Sequence, residues 1–253
     1  MEGIYRFADV CVKIQFQHGY FTKFAAGYEA EQDDGIDEEI TCTPEDIALE
    51  RVHAEKVLLE EEGAPDQFPD AYLETQVIYR KLCDKLVMRD ILLFHSSAIA
   101  VDGKAYLFAA RSGVGKSTHA RLWREVFGNR AVMINDDKPL LRILKGNTEE
   151  EKATVIVFGT PWNGKHMLGG NEQAPVQGIC LLERGEKNII RPVSSADALS
   201  GLLTQAYLPT SGEQRKRRTE LVFSLAKSVP IWRMECNVDR EAAQVAYHAM
   251  KGN

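Results

Sequence analysis

The chain contains few cysteines, no long apolar run and no excess of positive charge. Its five cysteines occur singly, without a Cys-x-x-Cys pair or a cysteine and histidine cluster, which excludes a zinc module and predicts reduced, mostly buried thiols. No stretch approaches the about 18 apolar residues of a membrane helix, and no basic segment followed by an apolar one opens the sequence. We therefore expect a cytoplasmic protein that does not enter a membrane. The net charge of −6 argues against binding to nucleic acid or to an anionic membrane surface.

The 253 residues divide into two segments of different sequence pattern. Residues 1–90 combine an alternating apolar stretch with an amphipathic helical stripe, which predicts a smaller α+β portion. Residues 91–253 consist of short apolar runs, turns and helical patterns, which predicts an α/β domain. With 44% hydrophobic and 27% charged residues, the chain has the composition of a globular protein. The sequence leaves a homo-oligomeric state open.

Turn signals locate the elements of the second segment. Asp102-Gly103 predicts a hairpin between the apolar runs 91–101 and 104–109. Gly128 is expected to end a helix that begins near residue 116. Further strands are predicted at 131–134, 140–144, 154–158, 178–183 and 231–236, and further helices at 195–206, 213–226 and 239–250.

A phosphate-binding loop is predicted at residues 110–118, between a strand and a helix. Glycines at 113 and 115 allow several backbone N–H groups to turn inward, and the helix adds its positive N-terminal dipole. In such a loop the Lys116 ammonium reaches the β and γ phosphates of ATP, and the Ser117 hydroxyl holds Mg²⁺. The generic pattern has its first glycine where this chain has Ala110, whose methyl group is the smallest intrusion. The predicted nucleotide-binding residues are Ser112, Gly113, Val114, Gly115, Lys116, Ser117 and Thr118.

Two adjacent carboxylates, Asp136 and Asp137, follow the apolar run 131–134 and so stand at the C-terminal end of a strand. Ligands bind at that end of the strands in an open α/β sheet. Beside a phosphate loop, one carboxylate can hold magnesium while the other accepts the proton of an attacking hydroxyl. An Asp-Asp pair can also be a solvated turn. The position of this pair, one strand after the predicted phosphate loop, favours the catalytic interpretation.

Four further residues are candidates for the site. His95 follows an apolar run and is either catalytic or a hydrogen-bonded structural residue. The polar, glycine-rich loop 159–173 lies between two predicted strands, and loops of this length are commonly functional. Its Lys165 and His166 are candidates for phosphate or substrate contact, with simple solvation as the alternative. Arg191 is a candidate charge-neutralising arginine or, alternatively, a surface ion-pair partner.

The order and spacing of His95, the hairpin, the loop residues 112–117 and the aspartate pair resemble the HPr kinase/phosphorylase catalytic domain. That family is related in fold to phosphoenolpyruvate carboxykinase. The resemblance covers about residues 90–190 and, more loosely, the helical tail. It implies a P-loop (Walker A) α/β domain like the C-terminal domain of HPr kinase, in a compact bacterial member of the family.

The resemblance also implies roles for individual residues. Asp136 would deprotonate the acceptor hydroxyl, and Asp137 would support that base or the metal. Lys116 would hold the phosphates, and His95 would lie near the transferred phosphate. The family's bifunctional members have a glutamate after the Lys-Ser of the loop, where this chain has Thr118. That difference argues against the reverse, phosphate-removing reaction.

Together these features predict a magnesium-dependent ATP phosphotransferase, a kinase, that phosphorylates a hydroxyl. The acceptor is expected to be serine in a peptide, a protein or free form, held by the loop 159–173. The alternative is an ATP-binding regulatory or peptide-binding module that transfers no phosphate. A carboxykinase-type enzyme would need a second metal site, for which Lys165 and His166 are the candidate pair.

Overall fold

The protein forms two compact units, Met1–Lys85 and Leu86–Asn253, in a computed structural model. In the sequence, by comparison, the change of pattern lies after residue 90. Backbone is described for residues 1–31, 35–61, 68–111, 113–146 and 151–252, and side chains for the same residues except 57–61.

The described residues of the first unit form a three-stranded sheet and three helices. Strands β1 and β2 pair antiparallel through a two-residue turn, in which Ala8 and Asp9 both have positive φ. Backbone twist in such a turn matches the twist of the strands that it joins. Strand β3 pairs parallel with β2. The elements are β1 (Glu2–Phe7), β2 (Val10–Gln15), α1 (Tyr20–Phe24), β3 (Glu38–Thr41), α2 (Pro44–Glu61) and α3 (Asp70–Leu86).

Helix α2 was not predicted from the sequence, because two of its apolar residues are exposed and one of its charged residues is buried. Leu49 and Val52 are exposed, at 71% and 66%, whereas Glu50 is buried. Both oxygens of the Glu50 carboxylate accept hydrogen bonds from Arg80 on α3, at 2.8 and 3.1 Å. A periodic apolar stripe, the usual sign of an amphipathic helix, is therefore missing.

The second unit is built on a curled, mixed nine-stranded sheet. The long strand β10 joins its two parts, because its first residues pair antiparallel with β9 while its later residues pair parallel with β6 and β12. The main path runs β4-β8-β9-β10-β6-β5-β7, with β12 beside β10 and β11 beside β12. The strands are β4 (Ile91–Leu93), β5 (Ser97–Val101), β6 (Lys104–Ala109), β7 (Ala131–Asn135), β8 (Leu140–Leu144), β9 (Thr154–Phe158), β10 (Gln173–Arg184), β11 (Ile189–Pro192) and β12 (Ile231–Cys236).

Helices cover both faces of this sheet and create two apolar layers. One layer contains Trp123 and Ala243, and the other contains Leu202 and Leu225. Because alternate residues of a strand point to opposite faces, Phe108 of β6 belongs to the first layer and its neighbours in sequence to the second. The helices are α4 (Lys116–Phe127), α5 (Ser195–Gln205), α6 (Gly212–Ser228) and α7 (Arg240–Met250).

Most predicted elements of the second unit are present. The hairpin turns at Asp102 and Gly103, both with positive φ, and Gly128 caps α4. The apolar run 91–101 forms two strands that pair with different neighbours. The chain breaks between them because the backbone N–H of His95 donates to Gln205 instead of to a strand.

All five cysteines are free thiols, and four of them are buried. Burial raises the pKa of Cys42 to about 12 and that of Cys180 well above its ordinary value. The prediction of buried thiols is therefore confirmed. Among the helices of the described ranges, none combines the length and apolar character that a membrane crossing requires.

Candidate functional site

Three chain connections meet at one edge of the large sheet. Strand β5 is antiparallel to both β6 and β7, so β6 and β7 run in the same direction and end at the same edge. The loop after β6 leads to α4, and the aspartate pair follows β7. The segment before β5 carries His95. The order β6-β5-β7 thus places the predicted phosphate loop and the predicted catalytic residues at the same end of three adjacent strands.

The loop between β6 and α4 has the backbone of an anion cradle. Gly113 and Gly115 have φ values of +76° and +126°, which side chains rarely adopt. Helix α4 begins after Gly115, and no side chain caps it. The first N–H groups of an uncapped helix have no partner within the helix, and their dipoles favour an anion. Ser112, also predicted to bind the nucleotide, lies outside the described residues.

Arg184, at the end of β10, forms hydrogen bonds with the backbone of this loop. Its guanidinium donates to the carbonyl of Gly113 through Nη2 and to that of Val114 through Nε, the latter at 3.4 Å. The N–H of Val114, in the same peptide as the Gly113 carbonyl, donates to the carbonyl of Arg111 at 3.3 Å, so hydrogen bonds fix this part of the loop on both sides. Sequence reasoning missed Arg184, because nothing in the sequence connects position 184 to a loop 70 residues earlier.

The Lys116 side chain contacts the backbone of its own loop, and the described contacts place it in no ion pair. Its ammonium donates to the carbonyl of Ala110 at 3.3 Å, and the side chain is half-buried. Burial lowers the pKa of Lys116, while the negative charge of Asp137 opposes this. A half-buried cation whose nearest acceptor is one carbonyl is well suited to receive an anion.

His95 and Asp137 form a hydrogen-bonded pair. The His95 Nε2 lies 2.8 Å from Asp137 Oδ1, and the side chains are 41% and 26% exposed. Burial alone would raise the pKa of the Asp137 carboxyl. The hydrogen bond and charge of His95, followed by the charges of Lys138 and Lys116, hold this pKa below its ordinary value. Asp137 therefore presents an ionised, partly accessible carboxylate toward the lysine of the loop.

Asp136, the adjacent carboxylate, is enclosed instead. The residue is 3% exposed, and its Oδ1 accepts a hydrogen bond of 2.6 Å from the backbone N–H of Gly164. Its Oδ2 is buried with no hydrogen-bond partner among the described residues. A Cβ on Gly164 would lie 3.2 Å from that oxygen, so the chain passes directly over the carboxylate. A buried acceptor without a donor is energetically costly, and such groups are often functional.

Asn135 organises the turn that carries both aspartates. Its Oδ1 accepts from the N–H groups of Asp137 and Lys138, at 2.8 and 2.6 Å. Its Nδ2 donates to the carbonyl and hydroxyl of Thr160, both at 3.1 Å. One side chain thus fixes the aspartate turn and attaches the glycine-rich loop to it. Asn-Asp-Asp could have indicated such a turn, since Asn side chains commonly hydrogen-bond to nearby backbone.

The loop that follows β9 packs against the end of β7 through glycines. A Cβ on Gly159 would lie 1.7 Å from the carbonyl oxygen of Gly170, and one on Gly169 would lie 2.7 Å from that of Ile134. The N–H of Gly170 donates to the same Ile134 carbonyl at 3.2 Å. Only glycine lets the two stretches of backbone come this close. The loop is therefore packed against the end of β7 beside the aspartate pair.

The other predicted site residues are exposed, and the described contacts do not join them to the His95–Asp137 pair. Lys165 and His166 are exposed at a turn of the loop, and the described contacts give neither a hydrogen bond nor an ion pair. Arg191 is exposed on β11, opposite Arg233 of β12. Three strand spacings separate it from Ala109 in the same row, a backbone distance of about 14 Å. Arg191, the candidate charge-neutralising arginine, thus lies three strands away from the strand that leads into the predicted phosphate loop.

The described residues include no cluster of three or more His, Cys, Asp or Glu side chains that could hold a metal ion. Magnesium binds through one or two protein oxygens together with substrate phosphates. The accessible Asp137 carboxylate and the exposed Ser117 hydroxyl at the start of α4 are donors of that kind. The residues present therefore fit a magnesium ion that arrives with a nucleotide.

No protein-family model matches the chain, and no curated protein sequence matches it. Among solved structures, the chain is similar to the Hpr(Ser) kinase/phosphatase from Coxiella burnetii, with a TM-score of 0.33 and 12% sequence identity. The match covers 63% of this chain and 99% of that one. It is a distant similarity at the level of the fold alone.

Proposed function

We propose that this protein is a magnesium-dependent ATP phosphotransferase that acts on a hydroxyl group, with serine in a peptide, a protein or free form as the acceptor. One observation carries the proposal. The loop with Lys116 and the His95–Asp137 pair lie at the same edge of the sheet, and the charge of Asp137 acts on Lys116. That arrangement combines a phosphate cradle with an ionised carboxylate.

The loop residues bind and orient the phosphates. N–H groups at the start of α4 and the Lys116 ammonium supply positive potential where the terminal phosphate carries charge. Phosphoryl transfer depends mostly on such positioning and charge stabilisation, since the reacting group forms few covalent contacts with the protein. Arg184 contributes by donating hydrogen bonds to the carbonyls of Gly113 and Val114, which stabilise the conformation of the loop.

Asp137 and Ser117 would hold the magnesium ion, which neutralises charge on the phosphates when bound. The hydrogen bond from His95 fixes the orientation of Asp137 and keeps it ionised. Partners of this kind commonly orient metal-binding carboxylates. His95 is therefore a positioning residue in this proposal.

Asp136 would accept the proton of the acceptor hydroxyl. Its carboxylate is covered by Gly164, so the loop after β9 must shift before a hydroxyl can reach it. The unpartnered Oδ2 is an acceptor of the type that a hydroxyl proton needs. Uncovering the base only when an acceptor displaces the loop would also limit ATP hydrolysis by water.

Incubation with γ-labelled ATP, Mg²⁺ and separate acceptors, namely free serine, serine peptides and whole protein pools, tests the proposal. We expect label in a stable phosphoserine product and none when magnesium is chelated. The variants Asp136→Asn and Asp137→Asn separate the two carboxylates. Asp136→Asn should retain Mg·ATP affinity and reduce transfer by about 100-fold, as for a lost general base. Asp137→Asn should abolish the increase in ATP affinity that magnesium produces.

The enclosed state of Asp136 favours a second candidate, an ATP-binding regulatory or peptide-binding module without phosphoryl transfer. In that protein the Asp136–Gly164 contact would be purely structural. Tight Mg·ATP binding with no labelled product from any acceptor would support the module. If Asp136→Asn formed product at the wild-type rate, Asp136 would not be the general base. The protein would still be a phosphotransferase.

A further inference from the structure

A cavity of about 490 Å³ opens beside the phosphate loop, on the side of β6 where β10 lies. It lies between the first residues of the loop, the end of β10 and helix α5. Its volume is in the range of sites that enclose small organic ligands. The described residues that line it include Ala110, Leu181, Gly201, Thr204, Gln205 and Arg233.

Strand order determines which end of a nucleotide this cavity can reach. Strand β7, which leads to Asp137, lies on one side of β6 with β5 between them, and β10 lies on the other side. The transferred phosphate must lie toward Lys116 and Asp137. The remainder of the nucleotide then extends across the loop toward β10. An acceptor must attack in line, opposite the leaving oxygen, and so approaches from the Asp137 side.

We propose that this cavity binds the nucleoside of the triphosphate whose phosphates occupy the loop; this inference rests on the proposed function. Its walls match a nucleoside in character. Ala110, Val114 and Leu181 provide apolar surface for a base. Arg233 and Glu183, which also line the cavity, neutralise each other in an ion pair of 2.8 Å. Arg111, in the phosphate loop, supplies positive charge for the phosphate that carries the nucleoside.

Gln205 supplies a polar group that lacks a partner. The residue is 8% exposed, and its Oε1 is buried without a hydrogen-bond donor among the described residues. An amino group of a base or a hydroxyl of ribose is a donor of the type it lacks. The Gln205 carbonyl also accepts from the N–H of His95 at 2.8 Å, so the same residue joins the cavity to the His95–Asp137 pair.

Gly201 allows α5 to lie close to Leu181 of β10 at the wall of the cavity. It lies in the middle of the helix, where glycine is less stabilising than alanine. A Cβ at this position would lie 3.1 Å from Leu181 Cδ1. The missing side chain lets α5 lie close to β10 without filling the space between them.

The test compares Mg·ATP with inorganic tripolyphosphate, which has the phosphates but no nucleoside, by titration calorimetry on the full chain. Wild-type protein should bind ATP at least about tenfold more tightly than tripolyphosphate. Thr204→Trp places a large side chain in the cavity from an exposed helix position. It should remove that preference and leave tripolyphosphate affinity within about twofold. Ala196→Trp, exposed on α5 but outside the cavity lining, is the matched control and should change neither affinity.

Three results would overturn the nucleoside site. The first is equal affinity of the wild-type protein for ATP and tripolyphosphate, and the second is unchanged ATP affinity in Thr204→Trp. The third is a rise in the KM for the acceptor alone in Thr204→Trp, which would show that the cavity binds the acceptor. The wild-type comparison needs no variant and so remains decisive if Thr204→Trp does not fold. A clear ATP preference without phosphoryl transfer would contradict the proposed function and still support the nucleoside site.

Discussion

The Nε2 of His95 and the Oδ1 of Asp137 lie 2.8 Å apart, although 42 residues separate them in the chain. The contact joins the connection before β5 to the turn after β7. The carbonyl of Asp137 also accepts from the N–H of Ser96 at 3.1 Å. Backbone and side-chain bonds therefore act together to hold an ionised carboxylate near the predicted phosphate loop.

Replacing His95 should shift the pH dependence of phosphoryl transfer. In His95→Ala the hydrogen bond that lowers the Asp137 pKa is lost, while the burial that raises this pKa remains. The carboxylate then protonates at a higher pH, and the acid limb of the kcat/KM profile should move upward. Lys138→Met, which removes a charge 3.9 Å from the other oxygen, should give a smaller shift in the same direction.

An unmoved acid limb with reduced kcat would contradict this role of His95. It would show that the imidazole acts on the phosphate itself. Thermal melts of both variants would establish that they are folded at each pH used.

Substituting Gly159 should destabilise the second unit, because a Cβ there meets the Gly170 carbonyl at 1.7 Å. Gly159→Ala must displace backbone, which we expect to cost about 1–3 kcal/mol. Gly170→Ala is the matched control, since its Cβ would meet only the Glu172 side chain, at 3.9 Å. Urea denaturation of the two variants measures the difference, and equal stabilities would show that the loop after β9 does not require this packing.

Replacing Lys116 should weaken ATP binding, if the proposed function holds, without destabilising the protein. Its charge is half-buried, and burial lowers its pKa. Lys116→Met should therefore leave the melting temperature of the free protein unchanged or raise it, while ATP affinity falls by about 100-fold. Lys104→Met, at the exposed start of β6, should affect neither quantity. Retention of ATP affinity in Lys116→Met would contradict the predicted phosphate contact.

Buried His119 should make folding stability depend on mildly acidic pH. Its Nε2 accepts a 3.0 Å hydrogen bond from Trp123, and burial lowers its pKa from 6.5 to about 4. Between these values the unfolded chain binds the extra proton and the folded chain does not, so stability falls as the pH decreases. The loss contributed by His119 is on the order of 3 kcal/mol near pH 4.

The variant His119→Gln keeps a hydrogen-bond acceptor for Trp123 and removes the titration. Its free energy of unfolding should decline less than that of wild type between pH 7 and pH 4.5, as measured by urea denaturation. Parallel declines in the two proteins would show that other groups account for the acid sensitivity.

Local patterns predicted much of the second unit, because each depends on a few neighbouring residues. Asp102-Gly103 specifies a tight turn wherever two strands flank it. Gly113 and Gly115 adopt the backbone that the loop pattern requires, and Gly128 ends the helix that follows. Helix α2 was not predicted, since Glu50 is buried only because Arg80 of another helix neutralises it.

Residues that act across long sequence separations could not be found in this way. Arg184 reaches the loop because β10 pairs beside β6, and Gln205 reaches the cavity because α5 lies on that face. The different environments of Asp136 and Asp137 are a further example. They are neighbours in sequence, yet one lies under Gly164 and the other faces His95.

The sequence by itself determined the loop, its lysine, the aspartate pair and the elements that carry them, because backbone freedom and turn chemistry are local properties. Only the tertiary structure decided which carboxylate is enclosed, which is held ionised, and where a cavity meets the loop. Those outcomes depend on strand order and on burial, and both arise when segments far apart in the chain come into contact.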